Sequence, residues 1–306
     1  MPTRRSILAI HPGALGDVVL FGHLLSAMEG PVTLVAGGEK ARLLAGASVV
    51  AGALDFDGLP MHEAFTDDPP DACRLPALLG GCDRLITCFA GGDARAERRL
   101  AELAGASDAA FLPTRPPAAF QGHLLDLWGG LLGIATAGEP APWPVPDAWR
   151  EAAAEALAPL GIAAGTPYAA IHPGAGAEVK CWPLERFGEV AAGLRDAGLA
   201  VVFTLGPVEL DRWADGRIER LRGDFPVLAA PELGVLAGVL AGAETYLGND
   251  SGVSHLAAAV GTPTLALFGP TDARHFRPVG RRVRCIEAPN MEGIGAGEVL
   301  AVLRGT

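Results

Sequence analysis

The strongest constraint on the fold is a pair of similar junctions, one in each half of the chain, where an apolar run meets a glycine-containing loop. Residues 10–17 read IHPGALGD, and residues 171–176 read IHPGAG. Each junction follows a short apolar run typical of a buried parallel strand, and each precedes a helical pattern. The two halves are therefore predicted to be similar α/β domains, which bind ligands at the carboxyl ends of their strands. We expect the active site in a cleft between them.

Chain length and a proline-rich stretch indicate the domain boundary. At 306 residues the chain exceeds a typical single core, and two domains of roughly 150 residues each are expected. Four prolines between Ala135 and Asp147 exclude a regular helix or a central strand there. We place the domains at residues 1–147 and 148–306, with the last helical pattern, Gly297 to Leu303, as a candidate to pack back on the first domain.

In both halves, short apolar runs alternate with patterns of helical period. Strands are predicted at Ile7–Ile10, Val32–Val35, Leu85–Phe89, Tyr168–Ile171, Ala200–Thr204, Val227–Ala229, Thr245–Leu247 and Thr264–Phe268. Helices are predicted at Asp17–Met28, Ala94–Leu103, His123–Leu132, Arg150–Leu157, Leu184–Leu194 and Gly297–Leu303. This alternation predicts two facing, Rossmann-like domains, each with a doubly wound parallel sheet.

Composition excludes several classes of protein. The net charge of -11 argues against broad nucleic-acid binding, and no run reaches the ~20 apolar residues of a membrane span. The five cysteines show neither a CxxC pair nor a zinc-ligand spacing, which favours reduced thiols and a cytoplasmic protein. Any contact with a membrane is then expected to be peripheral.

Asp17, at the end of the first junction, is the candidate catalytic residue. Glycines before it permit a tight turn, and Asp17 begins an apolar stripe formed by Leu20, Phe21 and Leu24. Its carboxylate is therefore expected to look into the cleft from the end of the strand. The alternative is that Asp17 only caps the following helix.

Lys180 follows the second junction. The chain has 22 arginines and only two lysines, Lys40 and Lys180, so lysine is rare wherever a generic cation would serve. A compact ammonium suits a diphosphate oxygen as a point charge, whereas an exposed lysine without a role is the alternative. The loop matches neither GxxxxGK[ST] nor GxGxxG, which removes the main support for an ATPase or an NAD-binding protein.

Two further segments lie at predicted strand ends. Gly248 to Ala259 opens a helix, whose first amides are a ready anion site, and its His255 is either a ligand contact or a structural histidine. A serine hydrolase is excluded, because adjacent Ser254 and His255 diverge on a helix and the chain has no GxSxG elbow. Glu209 follows another strand, where an acid often meets a ribose hydroxyl, although a solvated glutamate is the alternative.

Three motifs, taken in order, resemble the heptosyltransferases of lipopolysaccharide core assembly, glycosyltransferase family nine. They are GALGD at residues 13–17, PGA at 173–175 followed by KCWPLERF at 180–187, and DSG at 250–252 followed by HLAAA at 255–259. The run from Pro263 to Asp272 is also similar, so the resemblance covers nearly the whole chain.

The resemblance implies a GT-B fold and inverting transfer of heptose from ADP-heptose to an acceptor of the lipopolysaccharide inner core. It implies that the N-terminal domain binds this lipid-linked saccharide and that the C-terminal domain binds the nucleotide sugar. Asp17 would be the catalytic base. Donor binding would fall to Lys180 on the diphosphate, Glu209 near the ribose, and Asp250, Ser251, Gly252 and His255 lining the site.

The resemblance also implies that no metal and no cofactor besides the donor take part. A monomer is expected, in the cytoplasm or at the inner face of the inner membrane. Two alternatives stay open. A GT-B epimerase of sugar nucleotides needs no separate acceptor, and a non-catalytic sugar-nucleotide-binding protein would keep Lys180 and Asp250 without needing Asp17. The presence of Asp17 favours transfer.

Overall fold

The structure is a computed structural model that describes residues 5–136, 138 and 140–305. The chain divides into two compact units, Met1–Gly138 and Glu139–Thr306. The division lies within the proline-rich stretch, of which Ala137 and Glu139 are outside the described residues. Residues 140–147 of that stretch belong to the second unit, where the backbone N–H of Trp143 donates to the carbonyl of Ala259 at 2.8 Å.

The first unit is a five-stranded parallel sheet with helices. Its strands are β1 (Ile7–Ile10), β2 (Val32–Ala36), β3 (Gly52–Asp55), β4 (Arg84–Thr87) and β5 (Asp108–Phe111), in the order β3-β2-β1-β4-β5. Its α-helices are α1 (Leu15–Ser26), α2 (Gly38–Gly46), α3 (Leu75–Leu79), α4 (Ala94–Leu103) and α5 (Leu124–Leu132). Along the chain, β2 and β3 are added on one side of β1, and β4 and β5 on the other. The switch point, where such sheets bind ligands, therefore lies between β1 and β4.

The second unit is a six-stranded parallel sheet. Its strands are β6 (Tyr168–His172), β7 (Ala200–Leu205), β8 (Val227–Ala229), β9 (Thr245–Asn249), β10 (Thr264–Phe268) and β11 (Val283–Glu287), in the order β11-β10-β9-β6-β7-β8. Its α-helices are α6 (Asp147–Leu157), α7 (Leu184–Asp196), α8 (Pro207–Arg212), α9 (Asp215–Asp224), α10 (Leu233–Gly242), α11 (Gly252–Ala259), α12 (Ala273–Phe276) and α13 (Ala296–Arg304). The switch point lies between β6 and β9.

Central strands are buried along their whole length, as expected for parallel strands covered on both faces. All residues of β1, β6, β9 and β10 are buried. The last helix, α13, packs against α7 of its own unit, and its Val299 and Leu303 belong to the core beneath that unit's sheet. Among the described residues, no helix is both long and apolar enough to cross a membrane.

The sheets extend beyond the strands predicted from the sequence. The strands β3, β5 and β11 were not expected, because they are edge strands whose residues are only partly buried, so the apolar signal is weak. The predicted strand Leu85–Phe89 ends earlier, at Thr87, because the Thr87 hydroxyl accepts the backbone N–H of Phe89 at 2.8 Å and turns the chain.

Helices α6 and α10 approach each other closely through a glycine. A Cβ atom added at Gly238 would lie 2.2 Å from the backbone oxygen of Trp149, which leaves no room for a side chain. By contrast, a Cβ at Gly216 in α9 would meet nothing within 4 Å. The first glycine therefore serves packing, and the second only adds freedom to the unfolded chain.

We expect Gly238→Ala to lower the free energy of unfolding by about 1–3 kcal/mol, because the two helices must separate. Gly216→Ala, the matched control, is expected to raise it by up to about 1 kcal/mol. Chemical denaturation of both variants measures the difference. Equal effects of the two substitutions would show that close contact between α6 and α10 does not matter for stability.

Candidate functional site

The loops that follow β6, β7 and β9 bring six of the predicted site residues to one edge of the second sheet. Because parallel strands end at the same edge, residues far apart in sequence become neighbours there. The six residues are Lys180 after β6, Glu209 after β7, and Asp250, Ser251, Gly252 and His255 after β9. The seventh, Asp17, lies in the first unit.

Lys180 forms an ion pair with Asp250 across the switch point. Its ammonium nitrogen lies 2.7 Å from a carboxylate oxygen of Asp250, whose side chain is only 9% exposed. The Lys180 side chain remains one-third exposed, and its ammonium has three N–H donors, of which this contact uses one. Lys180 is therefore not a free surface lysine but a cation held in place with donors to spare.

Asn249 ties the loop after β6 to strand β9. Its side-chain NH₂ donates to the carbonyls of Pro173 (2.9 Å) and Gly174 (3.3 Å), and its Oδ1 accepts the backbone N–H of Trp182 (3.0 Å). One fully buried side chain thus fixes both ends of the loop that carries Lys180. Sequence reasoning missed this residue, and the available signal was an amide at the end of an otherwise apolar strand.

Glu209 is buried, with 4% of its surface exposed, which excludes the solvated glutamate. One carboxylate oxygen accepts the backbone N–H of Gly206 at 2.8 Å and lies 4.0 Å from Nε2 of His172. The other oxygen lies beside Gly174, where an added Cβ would come within 2.0 Å of it. A glycine at this position is therefore a condition for the observed place of Glu209.

His172, at the end of β6, was also missed as a site residue. Its Nδ1 lies 2.8 Å from the carbonyl oxygen of Thr204, so this nitrogen must carry the proton and donate. Burial lowers the pKa of His172, while the charge of Glu209 and the bond to Thr204 oppose that shift. The imidazole of His172 is therefore neutral, is fixed by its bond to Thr204, and lies next to the carboxylate of Glu209.

The start of α11 combines an anion site with a structural network. Ser251 is the N-cap, and the first-turn amides of Gly252 and Val253 have no carbonyl within the helix to bond. Ser254 is buried, donates to the carbonyl of Asn249 at 2.5 Å and contacts the Tyr246 hydroxyl at 3.1 Å. Its role is structural, which agrees with the rejection of a serine hydrolase. His255 is likewise buried, in the second turn.

Asp17 lies in the first turn of α1, which starts at Leu15 after the N-cap Ala14. It is therefore not the N-cap residue. The neighbouring loop after β4 brings Cys88 near it: burial, and in second place the charge of Asp17, raise the pKa of the Cys88 thiol to about 12. Asp17 thus lies at the switch point of the first sheet, between the loops after β1 and β4.

The described residues contain no group of three or more His, Cys, Asp or Glu side chains arranged to hold a metal ion. The short DxD pattern at Asp55 and Asp57 lies at the end of β3, where the Asp55 carboxylate accepts the backbone N–H groups of Gly38 (2.8 Å) and Asp57 (3.2 Å).

Comparison with known proteins decides the family. Residues 132–295, more than half of the chain, match the sequence profile of glycosyltransferase family 9 (heptosyltransferase). The chain belongs to this family. Lipopolysaccharide heptosyltransferase 3 of Escherichia coli K12 is 36% identical over 138 residues, which cover 43% of this chain and 38% of that protein. The match thus spans well under half of the relative's length.

Solved structures confirm the predicted GT-B fold class. The family 9 glycosyl transferase from Veillonella parvula DSM 2008 has a TM-score of 0.80 at 18% identity, covering 98% of this chain and 96% of that one. The E. coli heptosyltransferase WaaC, solved with ADP, has a TM-score of 0.70 at 21% identity, covering 98% and 99%. WaaC has also been solved with ADP-2-deoxy-2-fluoro heptose.

We expect Asn249→Ala to lower the free energy of unfolding by about 1–3 kcal/mol, because the buried groups that Asn249 bonds lose their partner. It should also speed amide hydrogen exchange between residues 173 and 183. Asn290→Ala is the control, since Asn290 is exposed and its side chain accepts the backbone N–H of Gly293 within its own turn (2.9 Å), where loss of a cap costs about 1 kcal/mol or less. Unchanged exchange in Asn249→Ala would show that the loop is held by other contacts.

Proposed function

We propose that this protein is an inverting glycosyltransferase that transfers heptose from ADP-heptose to an acceptor of the lipopolysaccharide inner core. The observation that carries the proposal is the Lys180–Asp250 pair, in the same loop cluster as the first-turn amides of α11 and within the segment that matches the family. The cation and the helix-start amides together suit a diphosphate. The names of the relatives and the ADP ligands of WaaC supply the sugar and the nucleotide.

The donor is assigned to the second unit. Lys180, with Asp250 orienting it, contacts the diphosphate, and the first amides of α11 add two further donors. Glu209 accepts a ribose hydroxyl with the carboxylate oxygen that lies beside Gly174. Ser251, Gly252 and His255 line the same site. The first unit is assigned to the lipid-linked acceptor.

Asp17 acts as the catalytic base. As the acceptor hydroxyl attacks the anomeric carbon, its proton passes to the Asp17 carboxylate, and the bond from the anomeric carbon to the diphosphate oxygen breaks. The attack comes from the side opposite the leaving group, so the configuration inverts. Negative charge that develops on the departing ADP is stabilised by Lys180 and the helix-start amides, in place of a metal ion.

The remaining assignments follow from the substrates. With a lipid-linked acceptor, we propose a cytoplasmic protein that works at the inner face of the inner membrane through peripheral contact. We also propose a monomer, in which one chain supplies both Asp17 and the donor-site residues.

The decisive experiment is Asp17→Asn. Asparagine keeps the size of the side chain but takes up no proton, so heptosyl transfer should fall by about 10²-fold or more, while ADP affinity stays within about threefold. Transfer is measured with EDTA present, and ADP binding by calorimetry on the same protein. Transfer at the parental rate would exclude Asp17 as the base, and a parent that is inactive until magnesium is added would exclude metal-free catalysis.

Gly174→Ala tests the nucleotide site. The added methyl group displaces the Glu209 carboxylate, and ADP affinity is expected to fall by about tenfold or more, as for a lost hydrogen bond to a charged group. Gly176→Ala in the same loop is the control, because a Cβ there meets nothing within 4 Å. Calorimetry with ADP and a melting curve for each variant separate lost binding from lost folding. Equal affinity of the two variants would remove Glu209 from the site.

A further inference from the structure

Both backbone groups of Gly13, in the loop that leads into Asp17, are bonded by side chains rather than by the sheet. Its N–H donates to Nδ1 of His11 at 3.0 Å, and its carbonyl accepts from the ammonium of Lys40 at 2.6 Å. His11 ends the junction after β1, and Lys40 lies in the first turn of α2, after the neighbouring strand β2. Side chains that follow two strand ends therefore hold the backbone of Gly13 through the two peptide units that flank its Cα, and we call these two hydrogen bonds the grip.

His11 remains in the uncharged form that accepts the hydrogen bond from the N–H of Gly13. It is 2% exposed, and its pKa is lowered to about 4, first by burial and second by the charge of Lys40. At neutral pH the ring is therefore uncharged, with the lone pair on Nδ1 turned toward Gly13. The ring packs against Phe21 (centroids 5.2 Å apart) and Trp128 (6.2 Å), which fixes its orientation.

Gly13 lies between His11 and the carboxylate of Asp17. A Cβ added at Gly13 would lie 2.5 Å from Cε1 of His11 and 3.1 Å from Oδ2 of Asp17. Because the three residues are this close, a shift of the Gly13 backbone displaces the Asp17 carboxylate or the first turn of α1. The position of the carboxylate thus depends on the two bonds to Gly13.

Lys40 supplies the second of the two hydrogen bonds to Gly13. It is one of only two lysines in the chain, and it is partly buried, with its ammonium donating to a carbonyl. The carboxylate of Asp57, two residues after the end of β3, lies on the same side: an added Cβ at Gly37 would be 3.1 Å from Lys40 Nζ and 3.7 Å from Asp57 Oδ2. The Lys40 ammonium is thus held next to the loop that contains Gly13.

We propose that Lys40 and His11 are positioning residues, which hold the backbone of Gly13 and thereby aim the carboxylate of Asp17. The proposal rests on the proposed function only in that Asp17 is taken as the base. The grip itself is a property of the loop, and it is measurable without substrates. A misplacement of a reacting group by about 1 Å can cost about 10²-fold in rate, so loss of the grip should appear in turnover.

The test compares Lys40→Met, which keeps the stem of the side chain but removes its donor and charge, with Lys40→Arg, which keeps both. Arg42→Met, two residues along the same helix at an exposed position, is the control for loss of a cation. Hydrogen exchange of the amides in residues 13–17 is measured first, by mass spectrometry without ligand. Turnover, acceptor KM and ADP affinity follow.

In Lys40→Met we expect exchange in residues 13–17 to accelerate by about tenfold or more. Its kcat should fall by about tenfold, with ADP affinity and acceptor KM each within about twofold of the parent. Lys40→Arg should restore most of the protection and of kcat, and Arg42→Met should resemble the parent in both.

Unchanged exchange in Lys40→Met would overturn the proposal. If exchange stayed unchanged while acceptor KM rose, Lys40 would be an acceptor contact instead, which overturns it equally. Faster exchange with kcat unchanged would show that the grip does not aim Asp17. Faster exchange in a protein whose parent form transfers no heptose would support the grip and contradict the proposed function alone.

Discussion

The ion pair between Lys180 and Asp250 is the interaction on which the rest of the site depends. It joins the loops after β6 and β9, which flank the switch point of the second sheet, where a crevice forms at the carboxyl ends of the strands. Asp250 is nearly buried, so its charge requires a partner. Asn249, one residue earlier, fixes the backbone of the same loop. Together they hold an ammonium at the crevice without using all its donors.

The two similar sequence junctions have different chemistry. His11 accepts a bond at Nδ1 from the N–H of Gly13, whereas His172 donates from Nδ1 to the carbonyl of Thr204. The rings therefore hold opposite tautomers. The His11 ring holds the loop that leads into Asp17, the proposed base, and the His172 ring lies beside the carboxylate of Glu209. One repeated motif thus supplies two different supports, one in each unit.

Much of the fold follows from the sequence, because buried parallel strands appear as continuous apolar runs. The candidate site also follows, because the segments after such strands lie together at one edge of the sheet. Asp17, Lys180 and Glu209 were predicted from their places at strand ends. The supporting residues were not, because the bonds of Asn249 and Lys40 reach backbone groups that are 76 and 27 residues away. Local pattern contains no information about such partners. The edge strands β3, β5 and β11 escaped prediction for the related reason that their apolar signal is weak.

Hydrogen exchange of the whole chain, with and without ADP, tests most directly whether the second unit binds the nucleotide. We expect ADP to slow exchange in residues 173–183, 205–209 and 250–255, the loops after β6, β7 and β9, and to leave the loops after β1 and β2 unchanged. Protection confined to the first unit, or to the opposite edge of the second sheet, would contradict the assignment of Lys180, Glu209 and Asp250 to the donor site.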